Sequence, residues 1–171
     1  MTDPRPPSTV TVRPSRPGDA DALVAILYDT FESTWRPQIT EAAAAAFLSE
    51  ARPRAFVAEH GAEFMVGERA GEVLGLVYWE GDFVHALHVH SRAARTGVGA
   101  ALMDVAESAI VTAGHPSARL ETDTFNARSQ AFYAARGYHE AARYPDEEWA
   151  SGLTTLLLVK PLAAADGAAG S

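Results

Sequence analysis

Residues 91–113 read SRAARTGVGAALMDVAESAIVTA, and this stretch decides how the rest of the chain is interpreted. Its second half predicts an amphipathic helix, because apolar side chains recur at steps of four, three and four residues, at Val98, Leu102, Val105 and Ala109. Residues 83–89, FVHALHV, precede it and are typical of a strand. Gly97-Val98-Gly99 therefore lies where a strand leads into a helix.

A glycine turn in this position is suited to an anion. The first turn of a helix has backbone N–H groups without intrahelical partners, and it carries the positive end of the helix dipole. Glycines let an anion approach closely, and Arg92 and Arg95 come just before the turn. The segment predicts a pyrophosphate site; the alternative is an ordinary turn that needs glycine. A dinucleotide-binding Gly-x-Gly-x-x-Gly motif is disfavoured, because position 102 is leucine.

Residues 126–138, NARSQAFYAARGY, form a second motif. Asn126 is a suitable N-cap and Gly137 a suitable C-terminal stop, which predicts a helix of about three turns. The two motifs in this order resemble the GCN5-related N-acetyltransferase superfamily. Its second signature, Asn-x-x-Ala/Ser-x-x-Phe-Tyr-x-x-x-Gly-Phe/Tyr, matches at Asn126, Ser129, Phe132, Tyr133, Gly137 and Tyr138. Its pyrophosphate loop, Gln/Arg-x-x-Gly-x-Gly/Ala, matches at Gly97 and Gly99 and departs at Ala94.

The resemblance covers residues 10–162 and implies a single N-acetyltransferase domain of the mixed α/β class. The implied core is a twisted, mainly antiparallel sheet flanked by helices, in which the fourth and fifth strands splay apart. The residue patterns predict the order β-α-α-β-β-β-α-β-α-β-β, in which the second helix is an alanine-rich segment from Thr40 to about Arg52. We expect disordered tails at residues 1–9 and 163–171.

The resemblance also implies acetyl-CoA as co-substrate, with its pantetheine arm in the gap between the splayed strands. The expected contacts come from main-chain groups of the fourth strand, from the glycine turn and from the second motif. They are Leu87, His88 and Val89, then Arg95, Thr96, Gly97, Val98, Gly99 and Ala100, and then Asn126, Ser129, Phe132 and Tyr133. The chain has no cysteine and its histidines are mostly scattered, so we expect no metal site.

The implied reaction is direct attack of an amine on the thioester in a ternary complex, which needs a proton acceptor and a proton donor. Tyr133 is the expected acid, with packing beside Phe132 as its alternative role. His85 is the expected base, since an unperturbed histidine titrates near pH 6.5. His88, which strand alternation would place on the opposite sheet face, Glu32 and a water chain are alternatives. A non-catalytic acyl-CoA-binding or sensing module is the alternative function.

The charge of the chain restricts its partners. It has 22 acidic against 14 basic residues and a formal net charge of −8, which disfavours nucleic acid and anionic membranes and suits a cationic acceptor. We expect a small-molecule or peptide amine, with Glu32, Trp35 and Tyr78 bordering its site. With neither a signal-peptide pattern nor a long apolar run, we expect a cytoplasmic protein, either a monomer or a homodimer.

Overall fold

A computed structural model describes residues 9–146 and 152–163 of the chain. The expected tails fall almost entirely outside these ranges, so their disorder stays a prediction. The strands are β1 (Thr11–Pro14), β2 (Met65–Arg69), β3 (Glu72–Glu80), β4 (Phe83–Val89), β5 (Ser117–Asp123), β6 (His139–Pro145) and β7 (Thr154–Pro161). The helices are α1 (Ala20–Thr30), α2 (Glu41–Ser49), α3 (Arg52–His60), α4 (Val98–Thr112) and α5 (Ala127–Ala135).

The strands form one mixed sheet in the order β1-β2-β3-β4-β5-β7-β6, and every neighbouring pair is antiparallel except β4–β5. Helix α4 packs on one face through Val98, Leu102 and Ile110, and α5 contributes Tyr133 there. Helix α1 packs on the other face through Leu23 and Ile26, beside α3. This architecture confirms the predicted fold class. None of the described helices combines the length and apolar composition needed to cross a bilayer.

The predicted second helix is wrong, because two helices occupy that region. Thr40 caps α2 by accepting a hydrogen bond from the Ala43 N–H at 3.1 Å, and α2 ends at Ser49. Ala51 then adopts a left-handed conformation, and Pro53 lies in the first turn of α3. Proline fits the first turn of a helix but breaks a helix interior. The element order therefore has three α-helices, not two, between β1 and β2.

Strands β4 and β5 splay apart, as the resemblance implies. They pair only at Phe83–Arg119 and Val84–Leu120, whereas β5 pairs with β7 along its whole length. A bidentate ion pair holds the closed end of the gap: Arg119 Nε and Nη2 donate to the Asp82 carboxylate, each at 2.9 Å. Beyond Val84 and Leu120, β4 and β5 do not pair with each other along their facing edges.

A glycine in β3 lets α4 approach the sheet closely. A β-carbon built on Gly75 would lie 2.9 Å from Val98 Cγ1 and 3.0 Å from the His88 carbonyl oxygen. Real β-carbons essentially never approach another atom to less than 3.0 Å, and the His88 backbone oxygen has little room to move away. Gly75 therefore fixes the distance between α4 and the sheet, and with it the place of the α4 N-terminus beside the end of β4.

We expect Gly75→Ala to destabilise the fold by about 1–3 kcal/mol, the usual cost of overpacking. Thermal or urea unfolding measures this. Gly18→Ala is the matched control, because a β-carbon there would meet no atom within 4 Å. Equal stabilities of the two variants would contradict the close approach of α4.

Candidate active site

The loop before α4 has the backbone geometry of an anion site. Gly97 has φ 94° and caps the helix in a left-handed conformation. The first intrahelical bond runs from the Ala101 N–H to the Gly97 carbonyl, at 3.1 Å. The N–H groups of Val98, Gly99 and Ala100 consequently have no partner within the helix. Arg95 is also left-handed, with φ 62°, which non-glycine residues adopt at a cost.

Contacts from distant elements hold this loop in place. Arg69 of β2 donates to Thr96 Oγ1 at 3.0 Å and to the Thr96 carbonyl at 2.7 Å. Asp29 of α1 accepts hydrogen bonds from the Ser91 N–H at 2.7 Å and the Ser91 hydroxyl at 2.8 Å. The loop is thus attached to both the sheet and α1, so its free N–H groups have a fixed direction.

The loop concentrates positive charge in an acidic protein. Arg92 forms an exposed ion pair with Glu72 at 2.5 Å, and Arg69 lies against the loop at Thr96. Within the described ranges, the Arg95 side chain makes no ion pair and stays available to a bound anion. The expected arginine contact at this loop remains a prediction, and Arg95 is the residue placed to make it.

Helix α5 lines the gap next to the loop. Asn126 Oδ1 caps the helix by accepting from the Ser129 N–H at 3.0 Å, and the Ser129 hydroxyl lies 2.8 Å from Thr122 Oγ1 on β5. A β-carbon on Gly99 would lie 3.5 Å from the Phe132 ring and 3.6 Å from Val89. The two sequence motifs and the end of β4 therefore meet at one place.

Tyr133 combines a packed ring with an accessible hydroxyl. Only 7% of the residue is exposed, and its ring packs edge-on against Phe132 and Tyr138. No fully buried side-chain N or O atom of the described chain lacks a hydrogen-bond partner. The Tyr133 hydroxyl bonds to no described group, so it retains some solvent-accessible area. Burial raises the Tyr133 pKa above its usual value, which keeps the hydroxyl protonated and able to donate.

A buried carboxylate fixes α5 against α4. Glu107 of α4 accepts hydrogen bonds from Arg136 Nη2 at 3.0 Å and from the Tyr138 hydroxyl at 3.3 Å, and it also pairs with Lys160 of β7. These partners satisfy a charge that would otherwise be costly to bury. The network holds the C-terminal end of α5, and thereby the position of Tyr133.

A bulge in β4 changes the direction of His85. Tyr78 pairs with Ala86 and Trp79 pairs with Val84, so His85 is the extra residue. Its ring stacks on Tyr78 at 5.4 Å, and its Nε2 lies 3.7 Å from Glu80 Oε2. Tyr78 belongs to the cluster of buried residues on the α1 face. The prediction that His85 and His88 lie on opposite faces is therefore wrong, because His88 also contacts α1.

His88 is held as a neutral base by α1. Its Nδ1 lies 2.9 Å from Thr30 Oγ1, and that hydroxyl donates to the Leu27 carbonyl at 3.2 Å. Because the hydroxyl has one proton, both contacts are satisfied only when His88 Nδ1 carries a hydrogen. Burial lowers the His88 pKa to about 4, so the ring is neutral at pH 7 and the lone pair is on Nε2. No described group bonds to Nε2, which by the same reasoning as for Tyr133 is accessible.

The three expected acceptor residues have different surroundings. Trp35 Nε1 donates to Asp123 Oδ2 at 2.9 Å, and the Trp35 ring lies 5.7 Å from the His88 ring. Glu32 is exposed and pairs with Arg36 at 2.6 Å. Tyr78 is 2% exposed, and its hydroxyl contacts His60 and Glu80. Trp35 thus lies at the gap, whereas Tyr78 is a core residue beneath His85.

One group of described side chains has the spacing of metal ligands. The ligand atoms of His60, Glu63 and Glu80 lie within 4.8 Å of one another, and both carboxylates are exposed. The Tyr78 hydroxyl, which lies 3.2 Å from His60 Nδ1 and donates to Glu80, links two of the three. This contact gives a structural reason for their closeness, and we assign no metal to them.

The model of the acetyltransferase (GNAT) family matches residues 20–138. The chain belongs to this family. The match confirms the resemblance and includes both motifs, β4, β5 and Trp35. No curated protein matches the sequence.

Solved structures with low sequence identity share the GNAT fold. A GCN5-related N-acetyltransferase from Rhodopseudomonas palustris, also described as an aminotransferase of class II, has a TM-score of 0.75 at 23% identity, covering 92% of this chain and 99% of its own. Apo YjaB from Escherichia coli has a TM-score of 0.73 at 22% identity, with coverages of 88% and 97%. The PaiA N-acetyltransferase from Thermoplasma acidophilum, solved with coenzyme A, has a TM-score of 0.70 at 13% identity, with coverages of 90% and 99%.

Several residues of this GNAT site were not found from the sequence. Arg69 and Asp29 position the loop, Thr30 fixes the His88 ring, and Asp123 binds the Trp35 indole. Each acts across 27 to 88 residues of sequence. No motif contains them. The one available signal was that Asp123 comes at the end of the strand before the second motif.

Proposed function

We propose that this GNAT protein is an acetyl-CoA-dependent N-acetyltransferase acting on a small-molecule or peptide amine. One observation carries the proposal: the gap between β4 and β5 leads to the N-terminus of α4, where three N–H groups have no helical partner. An extended arm can pair with open strand edges, and a pyrophosphate matches the free N–H groups and the positive charge of the loop. The residues present therefore fit coenzyme A.

Coenzyme A would be held by three parts of the chain. The unpaired edge of β4 at Leu87, His88 and Val89 faces the arm. The loop and first turn of α4, from Arg95 to Ala100, face the pyrophosphate. Asn126, Ser129 and Phe132 place α5 along the other side. Bound acetyl-CoA supplies an activated acyl carbon and a thiolate leaving group.

The chain's own residues provide the proton transfers in this proposal. His85 accepts the proton that the amine loses as its nitrogen bonds to the acyl carbon. Two observations support this role for His85. It lies at the β4 bulge, at the closed end of the gap, and its side chain is 41% exposed. Tyr133 donates its hydroxyl proton to the departing thiolate and regains one from solvent. Its support is an accessible hydroxyl kept protonated by burial.

We expect Gly97→Val to abolish the stabilisation by CoA that wild-type protein shows in thermal unfolding. Valine at φ 94° strains the loop and turns its N–H groups away from the ligand. Gly114→Val is the matched control, since Gly114 also has φ 94° but follows the C-terminal end of α4. Loss of CoA stabilisation in both variants, or in neither, would contradict the loop assignment.

We expect Tyr133→Phe to fold and bind acetyl-CoA but to lose about 10- to 1000-fold in turnover, the range for removing a proton donor or a transition-state hydrogen bond. Steady-state thiol release measures the loss. Tyr138→Phe is the control, because it removes a neighbouring hydroxyl that bonds to Glu107 and not to the gap, while Arg136 and Lys160 still hold that carboxylate, so turnover should change far less. Wild-type turnover in Tyr133→Phe would make Tyr133 a packing residue, and absent turnover in the wild type with all amines would favour a binding module.

We expect the rate to fall on the acidic side of its pH profile, and His85→Ala to remove that acidic limb. The reason is that a protonated base cannot accept the amine proton. His139→Ala, at an exposed position on β6, should leave the profile unchanged. A normal rate and pH profile in His85→Ala would mean that water, His88 or the substrate itself accepts the amine proton.

A further inference from the structure

Trp35 crosses the gap on the α1 face of the sheet. Its indole N–H bonds to Asp123 on β5, and its ring contacts His88 on β4. These two residues lie beyond the last β4–β5 pair, Val84–Leu120, where the strands no longer pair. Trp35 therefore borders the gap on this face, at the level of His88 and Asp123.

A distortion of the helix places Trp35 there. Residues Phe31–Trp35 form a single π-helical turn at the end of α1, and such turns occur often at functional sites. In a regular α-helix, position 35 would project from the same side as Phe31. Phe31 is buried and stacks on Phe47 at 3.8 Å, which anchors the turn. The wider turn directs Trp35 away from this core and toward β5.

Asp123 is poorly compensated by its surroundings. Burial raises its pKa, the Trp35 N–H lowers it, and the carboxylates of Asp146 and Glu121 raise it further. Among the described residues, no lysine or arginine contributes to this balance. A neutral N–H is a weaker partner for a carboxylate than a cation is. The contact with Trp35 is thus one that an ammonium group can replace.

We propose that Trp35, His88 and Asp123 form the acceptor pocket, and that the acceptor carries a second cationic group, which Asp123 binds in place of the Trp35 indole N–H. This inference rests on the proposed function. The nitrogen that attacks must be uncharged, so the ammonium at Asp123 is a different group of the same molecule. Asp123 lies three positions along β5 from Leu120, which is at the closed end of the gap, and this sets a spacing of about 10 Å. Diamines and polyamines have this chemistry.

The neutral His88 ring completes the pocket. Its accessible Nε2 lone pair accepts an N–H bond from the acceptor without adding a positive charge that would repel it. The Thr30 and Leu27 contacts hold that tautomer. The aromatic ring at position 35 adds a surface for the chain between the two nitrogens, which phenylalanine would also provide.

The test compares α,ω-diaminoalkanes with n-alkylamines of the same length. We expect wild-type kcat/KM to favour the diamines by about 10- to 100-fold, the value of a hydrogen bond to a charged group. Asp123→Asn should remove this preference through the KM for the diamine and leave the KM for acetyl-CoA unchanged. Asp21→Asn, which removes an equal charge from an exposed position on α1, should keep the preference. Trp35→Phe removes the indole N–H that bonds to Asp123, and this variant should bind diamines at least as tightly as the wild type does.

A second readout does not depend on turnover. Diamine binding should change the fluorescence of Trp35, and the change should be absent in Trp35→Phe and in Asp123→Asn. Turnover that is equal for diamines and monoamines in the wild type and in Asp123→Asn would overturn the pocket while leaving the acetyltransferase proposal intact. A fluorescence response to diamines without any acetyl transfer would support the pocket and overturn the acetyltransferase proposal. Weaker diamine binding in Trp35→Phe would make the Trp35–Asp123 bond structural and contradict the exchange.

Discussion

The candidate site depends on where hydrogen bonding between β4 and β5 stops. After two paired positions the strands separate, and the backbone groups along the gap are left without strand partners. Unpaired groups of this kind are costly unless water or a ligand satisfies them. The Asp82–Arg119 clamp closes one end of the gap, and the other end leads to the glycine loop. A ligand that fills the gap therefore meets unpaired strand edges along its sides and free N–H groups at its end.

The sequence predicted the parts of the site that are local. The glycine turn, the Asn126 cap and the helix that carries Tyr133 are each specified by residues within a few positions of one another. For this reason the fold class could be predicted from two short motifs. Pro53 is a sequence signal for the start of α3, since proline is common in the first turn of a helix. The run of alanines before it, however, favours one continuous helix, and the boundary between α2 and α3 was therefore not predicted.

The rest of the site depends on contacts between distant residues. Strand alternation gave the wrong face for His85, because a bulge is a property of the register between two strands and neither strand's sequence shows it. The tautomer of His88 depends on Thr30, which lies 58 residues away. In the sequence, Asp123 looks like an ordinary residue at the end of a strand. Its bond to Trp35 and its raised pKa depend on the folded structure, which brings Trp35 to it and buries the carboxylate.

The clamp at Asp82 and Arg119 also has a mechanical meaning. It makes the closed end of the gap a pivot between two parts of the sheet, because β4 and β5 pair with each other only there, while β4 stays paired to β3 and β5 to β7. Val89 lies five residues past the last pair, or about 16 Å along β4. A rotation of roughly 5° at the pivot would move Val89 by about 1.4 Å on this length. The width of the gap beside Val89 is therefore sensitive to small changes in one ion pair at the opposite end of the gap.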